Sequence, residues 1–293
     1  MTTNIGRKSD GTDTLRPWQK GKAAGKKGGT PVEVDKEWLV DTGAEVSCIT
    51  ESNAAHFDLV ANGVIGGGTL IDGRTIVAKD GVTMKFRALK ADGTEEELQC
   101  PLTVYVVPDA WPNILGNDQL ANFGLGVAWN PKTGAGKIFH EPPATGGNLR
   151  GDPAKPGTRR PGQAGTATGS KAGANVTATK EWLVDTGAHV SCLTAENAAK
   201  FDLTDAPGGR KHGVTMHFHV TDADGNEKAV ACSLDVLIGN SDIIGMDQLA
   251  EIGAEIVWNP GKQTGRIYLP KPGDELQPPP KPKPKNHGNS WSW

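Results

Sequence analysis

Apolar and polar residues alternate along much of the chain with the two-residue period of half-buried β-strands. In GVTMHFHV, Val214, Met216, Phe218 and Val220 alternate with Thr215, His217 and His219. Such runs are short, and the stretches ADGTEE and ADGNEK carry the Asp-Gly and polar turn residues of hairpins. Helical patterns are few and brief: Glu51–His56, Ala195–Lys200, Asp118–Phe123 and Asp247–Ile252. Thr50 and Thr194 stand where the first and second of these need N-caps, since a Thr hydroxyl can accept from an otherwise unpaired N–H of the first turn. The pattern predicts an all-β fold of small barrel or sandwich type.

The pattern is also duplicated. EWLVDTGAEVSCIT (Glu37–Thr50) returns as EWLVDTGAHVSCLT (Glu181–Thr194), an offset of 144 residues that still holds from Phe57 to Phe201. GVTMKF at Gly81 returns as GVTMHF at Gly213, offset 132, so the first copy holds twelve additional residues between Phe57 and Gly81. ILGNDQLA and IIGMDQLA, and then Trp129-Asn130-Pro131 and Trp258-Asn259-Pro260, follow at offset 129. Two domains of one fold are expected, over 31–140 and 176–270.

Outside them the composition changes. Residues 1–30 hold seven Lys or Arg against two Asp, and read as a disordered basic tail. Their charge is compatible with RNA contact, but a solvated tail accounts for it, and no nucleic-acid partner is assigned. Residues 141–175 read as a Gly/Pro-rich linker. The Arg150-Gly151-Asp152 within it suits adhesion only in a secreted protein, which nothing else suggests. Residues 271–293 form a Pro-rich tail of polyproline II character. Apolar residues are 36% of the chain, with 39 Gly and 20 Pro, as compact β parts joined by unstructured segments require. A net charge of −3 argues against a nucleic-acid or membrane surface role for the whole chain. No apolar run is long enough to span a bilayer, the N-terminus has no signal-peptide core, and four cysteines are too few for a disulfide scaffold. The expected setting is cytoplasmic.

The candidate chemistry lies in the repeated Asp-Thr-Gly. Each copy ends an apolar strand, Trp-Leu-Val, on a carboxylate that would be costly to bury unheld. Gly43 and Gly187 allow a tight turn and let backbone N–H groups reach the carboxylate. Should the copies pack about a twofold axis, Asp41 and Asp185 meet. Two carboxyls in contact share a proton, giving one base and one acid around a single water.

These residues resemble those of the retropepsin-like aspartic peptidases, the superfamily of retroviral and retrotransposon proteases. Asp41-Thr42-Gly43-Ala44 and Asp185-Thr186-Gly187-Ala188 match its active-site motif. Ile114-Leu115-Gly116 and Ile243-Ile244-Gly245 match the later strand that backs the loop, and DQLANFG and DQLAEIG match its C-terminal helix. The resemblance covers both copies and neither tail. It implies two acid-protease β-barrel lobes related by a pseudo-twofold axis, each with a short C-terminal helix, in a monomer that forms its dimer internally. It also implies an aspartic endopeptidase that cleaves polypeptide with an Asp41/Asp185 dyad, takes no cofactor or metal, and has Thr42 and Thr186 bonded across the interface. Alternatives are an inactive peptide-binding or assembly module of the same fold, and a homodimer whose like lobes pair between chains. The additional residues of the first copy are expected to form the one functional flap, with Leu70 and Ile71 leading to an Asp72-Gly73 turn and Thr75–Val77 returning. Ile114 and Ile243 are expected to back the substrate.

The chain departs from the family's pattern in three places. Glu45 and His189 stand where Asp usually follows, Asn117 and Met246 stand where Arg does, and little sequence precedes each motif for the usual N-terminal hairpin. The remaining chemistry-bearing residues have plainer readings. His212, His217 and His219 correspond to Asp80, Lys85 and Arg87 of the first copy, so they read as solvent-facing and not as a zinc site. Cys48, Cys100, Cys192 and Cys232 read as buried thiols, and Trp38 and Trp182 as core.

Overall fold

The computed structural model describes residues 5–61, 68–69, 75–90, 92–140, 148–151 and 158–276. The fold is all-β, and the described residues include four short α-helices at Glu51–Ala54, Asn117–Asn122, Ala195–Ala198 and Met246–Ile252. Thr50 Oγ1 and Thr194 Oγ1 cap the first and third, accepting from the N–H groups of Asn53 and Asn197 at 3.4 and 3.3 Å. Among the described residues, no helix is long and apolar enough to cross a membrane.

Each repeat opens on a long hairpin, and here the expected boundaries are corrected. Residues 18–27 lie in the expected tail, and residues 161–171 in the expected linker. They form the strands Trp18–Lys27 and Pro161–Lys171, paired with Thr30–Val40 and Ala174–Val184. The N-terminal hairpin that the sequence had no room for is built from these segments. Their glycines serve packing rather than flexibility, because each first strand is flanked on both sides. A Cβ on Gly25 would lie 2.5 Å from the Gly81 carbonyl oxygen and 2.7 Å from Phe57 Cδ1. On Gly169 it would lie 2.7 Å from the Gly213 carbonyl and 2.8 Å from Phe201 Cδ1. The flanking strands are Ala78–Leu89 and Arg210–Thr221, which pair in turn with Glu95–Val107 and Glu227–Gly239.

The repeats join through a six-stranded run. Its order is Ile5–Gly6, Ala135–His140, Leu125–Asn130, Glu255–Asn259, Thr264–Tyr268 and Leu149–Gly151, each antiparallel to the next. The central junction pairs Val127 with Trp258, Ala128 with Val257 and Trp129 with Ile256. Trp38, Trp129, Trp182 and Trp258 are fully buried, and one continuous core runs through both repeats. Tryptophan burial on this scale contributes several kcal/mol of transfer free energy per pair, on the order of 25 cal/mol per Å² of apolar surface. Past the last strand the chain crosses back to the first repeat. Leu276, 2% exposed, packs with Leu89, Ala128, Ala135 and Phe139. Its N–H donates to Glu255 Oε1 at 2.7 Å and its carbonyl accepts from Thr133 Oγ1 at 2.5 Å. Burial raises the pKa of Glu255 above the usual carboxyl range, and this backbone N–H and the Asn130 side chain oppose the rise. The first residues of the expected Pro-rich tail are thus a strap between the repeats.

Candidate active site

Thr30–Val40 and Ala174–Val184 each run into an Asp-Thr-Gly-Ala loop. The short strands Ile114–Leu115 and Ile243–Ile244 lie parallel to their last residues. The Asp41 N–H donates to the Leu115 carbonyl and the Asp185 N–H to the Ile244 carbonyl, both at 3.1 Å. Each aspartate therefore leaves its strand with its backbone anchored and its side chain turned toward the other loop.

The loops meet through their threonines. The Thr42 N–H donates to Thr186 Oγ1 at 3.0 Å, and the Thr186 N–H donates to Thr42 Oγ1 at 3.1 Å. The hydroxyls pass their own protons onward, Thr42 Oγ1 to the Val184 carbonyl at 3.0 Å and Thr186 Oγ1 to the Val40 carbonyl at 2.7 Å. Both threonines are fully buried, so each of these four bonds satisfies a group that would otherwise be stranded.

Gly43 and Gly187 bring the carboxyls together. A Cβ on Gly43 would lie 2.5 Å from Asp185 Oδ1, and one on Gly187 would lie 2.6 Å from Asp41 Oδ1. Each carboxyl sits over the other loop's glycine, in space that any side chain there would fill. Asp41 Oδ1 accepts from the N–H groups of Gly43 and Ala44 at 2.8 and 3.0 Å, and Asp185 Oδ1 from that of Gly187 at 2.7 Å. The Asp41 pKa is pushed well above the usual carboxyl range, first by loss of hydration, then by the charge of Asp185 and a hydrogen bond with it. The two N–H donors oppose that rise without cancelling it. Two carboxyls this close disfavour the state in which both are ionised.

Behind each loop lies a second matched set that motif reading passed over. Ser47 Oγ donates to Asp118 Oδ1 at 2.8 Å and accepts from the Gly116 N–H at 2.9 Å. Ser191 Oγ does the same with Asp247 Oδ1 and the Gly245 N–H, both at 2.9 Å. The signal was present, since Ser47/Ser191 and Asp118/Asp247 are identical in both copies. Two other supports are unmatched. Asn117 Nδ2 donates to the Thr42 carbonyl at 2.7 Å, where the second repeat has the buried, apolar Met246. Asp13, from the expected tail, lies beside the second loop and within hydrogen-bond reach of His189.

Ile114 is buried against Cys48 and Ile243 is half-buried, each on its expected strand. Leu70, Ile71, Asp72 and Gly73 lie outside the described residues. Gly68–Thr69 and Thr75–Ile76 on either side of them pair antiparallel. His212 contacts Asp235 and His217 contacts Thr168, each at 2.8 Å, and among the described residues no three metal-ligating side chains converge. All four cysteines are free, and Cys192 is half-buried where the other three are buried. Burial pushes the Cys48 thiol up to about 12, with Asp41 adding to it, and the Cys192 thiol up to about 11, with Asp185 adding to it. Neither thiol is poised as a nucleophile. A cavity of about 1510 Å³ lies along the first repeat's N-terminal arm between Arg7, Trp111 and His189. It does not include the aspartates, and its acids and bases are mixed without converging on one point. The paired carboxyls are the better candidate for chemistry.

No protein-family model matches this chain, and no curated protein sequence is significantly similar to it.

Proposed function

We propose that the chain is an aspartic endopeptidase of the retropepsin-like type, with its two repeats acting as β-barrel lobes about a pseudo-twofold axis and a single site between them. The observation that carries this reading is the reciprocal Thr42/Thr186 bonding within one chain, which sets two carboxyls in hydrogen-bonding contact at the meeting of two identical loops. Few structural needs explain such a pair. Two like charges forced together cost stability, and perturbed carboxyls of this kind concentrate at reactive sites.

In this reading the ionised member of the pair takes a proton from a bound water, and the water oxygen attacks the peptide carbonyl. The protonated member gives its proton to the carbonyl oxygen, forming a tetrahedral diol. Collapse of the diol, with proton transfer to the departing nitrogen, breaks the C–N bond and returns the pair to its starting state. The partner is a polypeptide substrate, the acting unit is the monomer, and the dyad needs no cofactor. Ala44 and Ala188 bring no hydroxyl to the carboxyls, so the optimum is expected between mildly acidic and neutral pH, consistent with a cytoplasmic setting. The test is incubation of the full chain with an unbiased peptide library, with and without a statine-type peptide. Cleavage that the statine blocks supports the proposal. Peptide capture without cleavage would replace it with the inactive binding module.

A further inference from the structure

The two walls that border the paired carboxyls differ in kind, although they stand on the same strands. The charge of Asp41 acts on the Cys48 thiol and that of Asp185 on the Cys192 thiol, so each cysteine marks its own repeat's wall beside the pair. In the first repeat Cys48 is buried with Ala78, Tyr105, Val107 and Ile114 in a small apolar cluster, and Trp111 packs against it. The backbone repeats this wall. Cys48 pairs with Tyr105 and Ile114, and Cys192 with Leu237 and Ile243. Ala78 and Lys79 stand opposite Tyr105 and Val104, just before the register shifts, and Lys211 stands opposite Val236 just before the same shift. Arg210 therefore holds the place of Ala78.

The neighbouring exchanges open the second wall. Leu237 stands for Tyr105 and Gly239 for Val107, and the six residues 108–113, which carry Trp111, are matched by the three residues 240–242. Cys192 and Ile243 are half-buried where Cys48 and Ile114 are buried, and Ile238 is 41% exposed. Into this wider wall the chain places a guanidinium. The two residues that follow Arg210 each have a carboxylate, Lys211 with Asp205 and His212 with Asp235. Among the described residues Arg210 has none. It is half-buried, and its charge reaches His189 of the second loop, where it opposes protonation of the imidazole after burial and Arg16. A guanidinium so placed offers a fork of N–H donors that fits a carboxylate, and a partner that supplies one gains charge-assisted bonds.

We propose that Arg210 is a specificity-determining residue of the site: the second repeat's wall takes an acidic side chain, so the preferred partner is a polypeptide with Asp or Glu close to the bond held at the paired carboxyls. An extended peptide across the pair turns successive side chains to opposite sides, so a single residue of it can meet this wall while its neighbours face elsewhere. That the partner is a substrate rests on the aspartic-peptidase reading. Selective binding of an acidic peptide needs no turnover.

The test is calorimetric binding of statine-type peptides to the full chain, alongside library cleavage. The peptides carry Glu, or Gln of the same shape, in turn at each of the two positions on either side of the statine. In the wild type Glu is expected to bind about tenfold or more tighter than Gln at one of these positions, by a ratio that shrinks as salt is raised. In Arg210→Ala the ratio at that position is expected to fall to about one, and in Arg210→Glu to invert, with Lys favoured there instead. Should Arg210→Ala fail to fold, Arg210→Gln keeps much of the side chain's length without its charge, and the same ratio decides. A wild type that binds Glu and Gln peptides alike, or binds neither, overturns the proposal, as does a preference for Glu that survives in Arg210→Ala. A wild type that cleaves nothing in the library yet prefers Glu through Arg210 overturns the peptidase reading and leaves the acid-selective site standing.

Discussion

The first and second repeats agree at the paired loops and in the groups that back them, and differ around them. Thr42 and Thr186, Gly43 and Gly187, Ser47 and Ser191, Asp118 and Asp247 make the same bonds at nearly the same lengths. One step outward the match ends, with Asn117 against Met246, Glu45 against His189, and Asp13 against no side chain at all. A group in the shared contact is constrained twice, because its counterpart depends on it. A group outside that pairing has no identical counterpart depending on it, even where it reaches the other repeat, as Asp13 reaches His189. Duplication within one chain thus permits an asymmetry that two identical chains could not have.

The strongest way to break the comparison is at the carboxyls. Asp41→Asn and Asp185→Asn are each expected to lower cleavage by about a thousandfold or more, because the pair acts as a unit. If both single variants keep near half the activity and only the double loses it, the sites form between chains and the single-site reading falls. The threonines come next. Thr42→Val and Thr186→Val each remove a hydroxyl that makes two buried bonds and leave a backbone N–H without its acceptor. A loss of about 2–5 kcal/mol is expected from either in urea unfolding, and equal losses would show that the two positions are equivalent in energy as well as geometry. Leu276→Ala probes a feature of one end only. Emptying its pocket is expected to cost about 2–4 kcal/mol, and unchanged stability would deny the strap a role.

The pH dependence of stability sharpens the comparison further. A carboxyl whose folded pKa is raised, as that of Asp41 is, binds its proton more tightly folded than unfolded. Its contribution is fully present below the unfolded value, about 3.9, and is lost as pH rises through the folded value. Asp41→Asn, neutral at every pH, should therefore raise the melting temperature more at pH 7 than at pH 4. A gain of the same size at both would mean that charge repulsion at the pair is not what it relieves. The smallest expected effect is at the hairpin tips. Gly28-Gly29 turns the first hairpin with φ of 57° and 78°, and Ala172-Gly173 turns the second with 52° and 78°. The Ala172 Cβ is strained there, so Ala172→Gly should stabilise by a few tenths to about 1 kcal/mol, net of the entropy glycine adds to the unfolded chain. Gly28→Ala should lose a similar amount.

Much of this was legible in the residues, and the exceptions are instructive. The β-period, the caps at Thr50 and Thr194 and the position of both loops could be read because each depends on neighbours in sequence. The opening strands were misread as tail and linker although their signal was there. Gln19, Gly21, Ala23, Gly25, Lys27 and Gly29 match Gln163, Gly165, Ala167, Gly169, Lys171 and Gly173 at the same offset of 144, every second residue. Small residues carry no hydrophobic period, so the alternation was invisible to a search for one. Phe57 and Phe201, which crowd Gly25 and Gly169, lie about thirty residues further on.

The sequence by itself determined the duplication, the strand-forming period and the doubled Asp-Thr-Gly-Ala, since these are local or recur at a fixed offset. Only the tertiary structure decided that both loops meet within one chain, that Leu276 packs against the opposite repeat, and that Asp13 reaches His189 across 176 residues. Contacts of that kind are set by how two finished units dock. Docking depends on the summed shape and polarity of surfaces that exist only after each unit has folded, and no residue's neighbours in sequence carry that information.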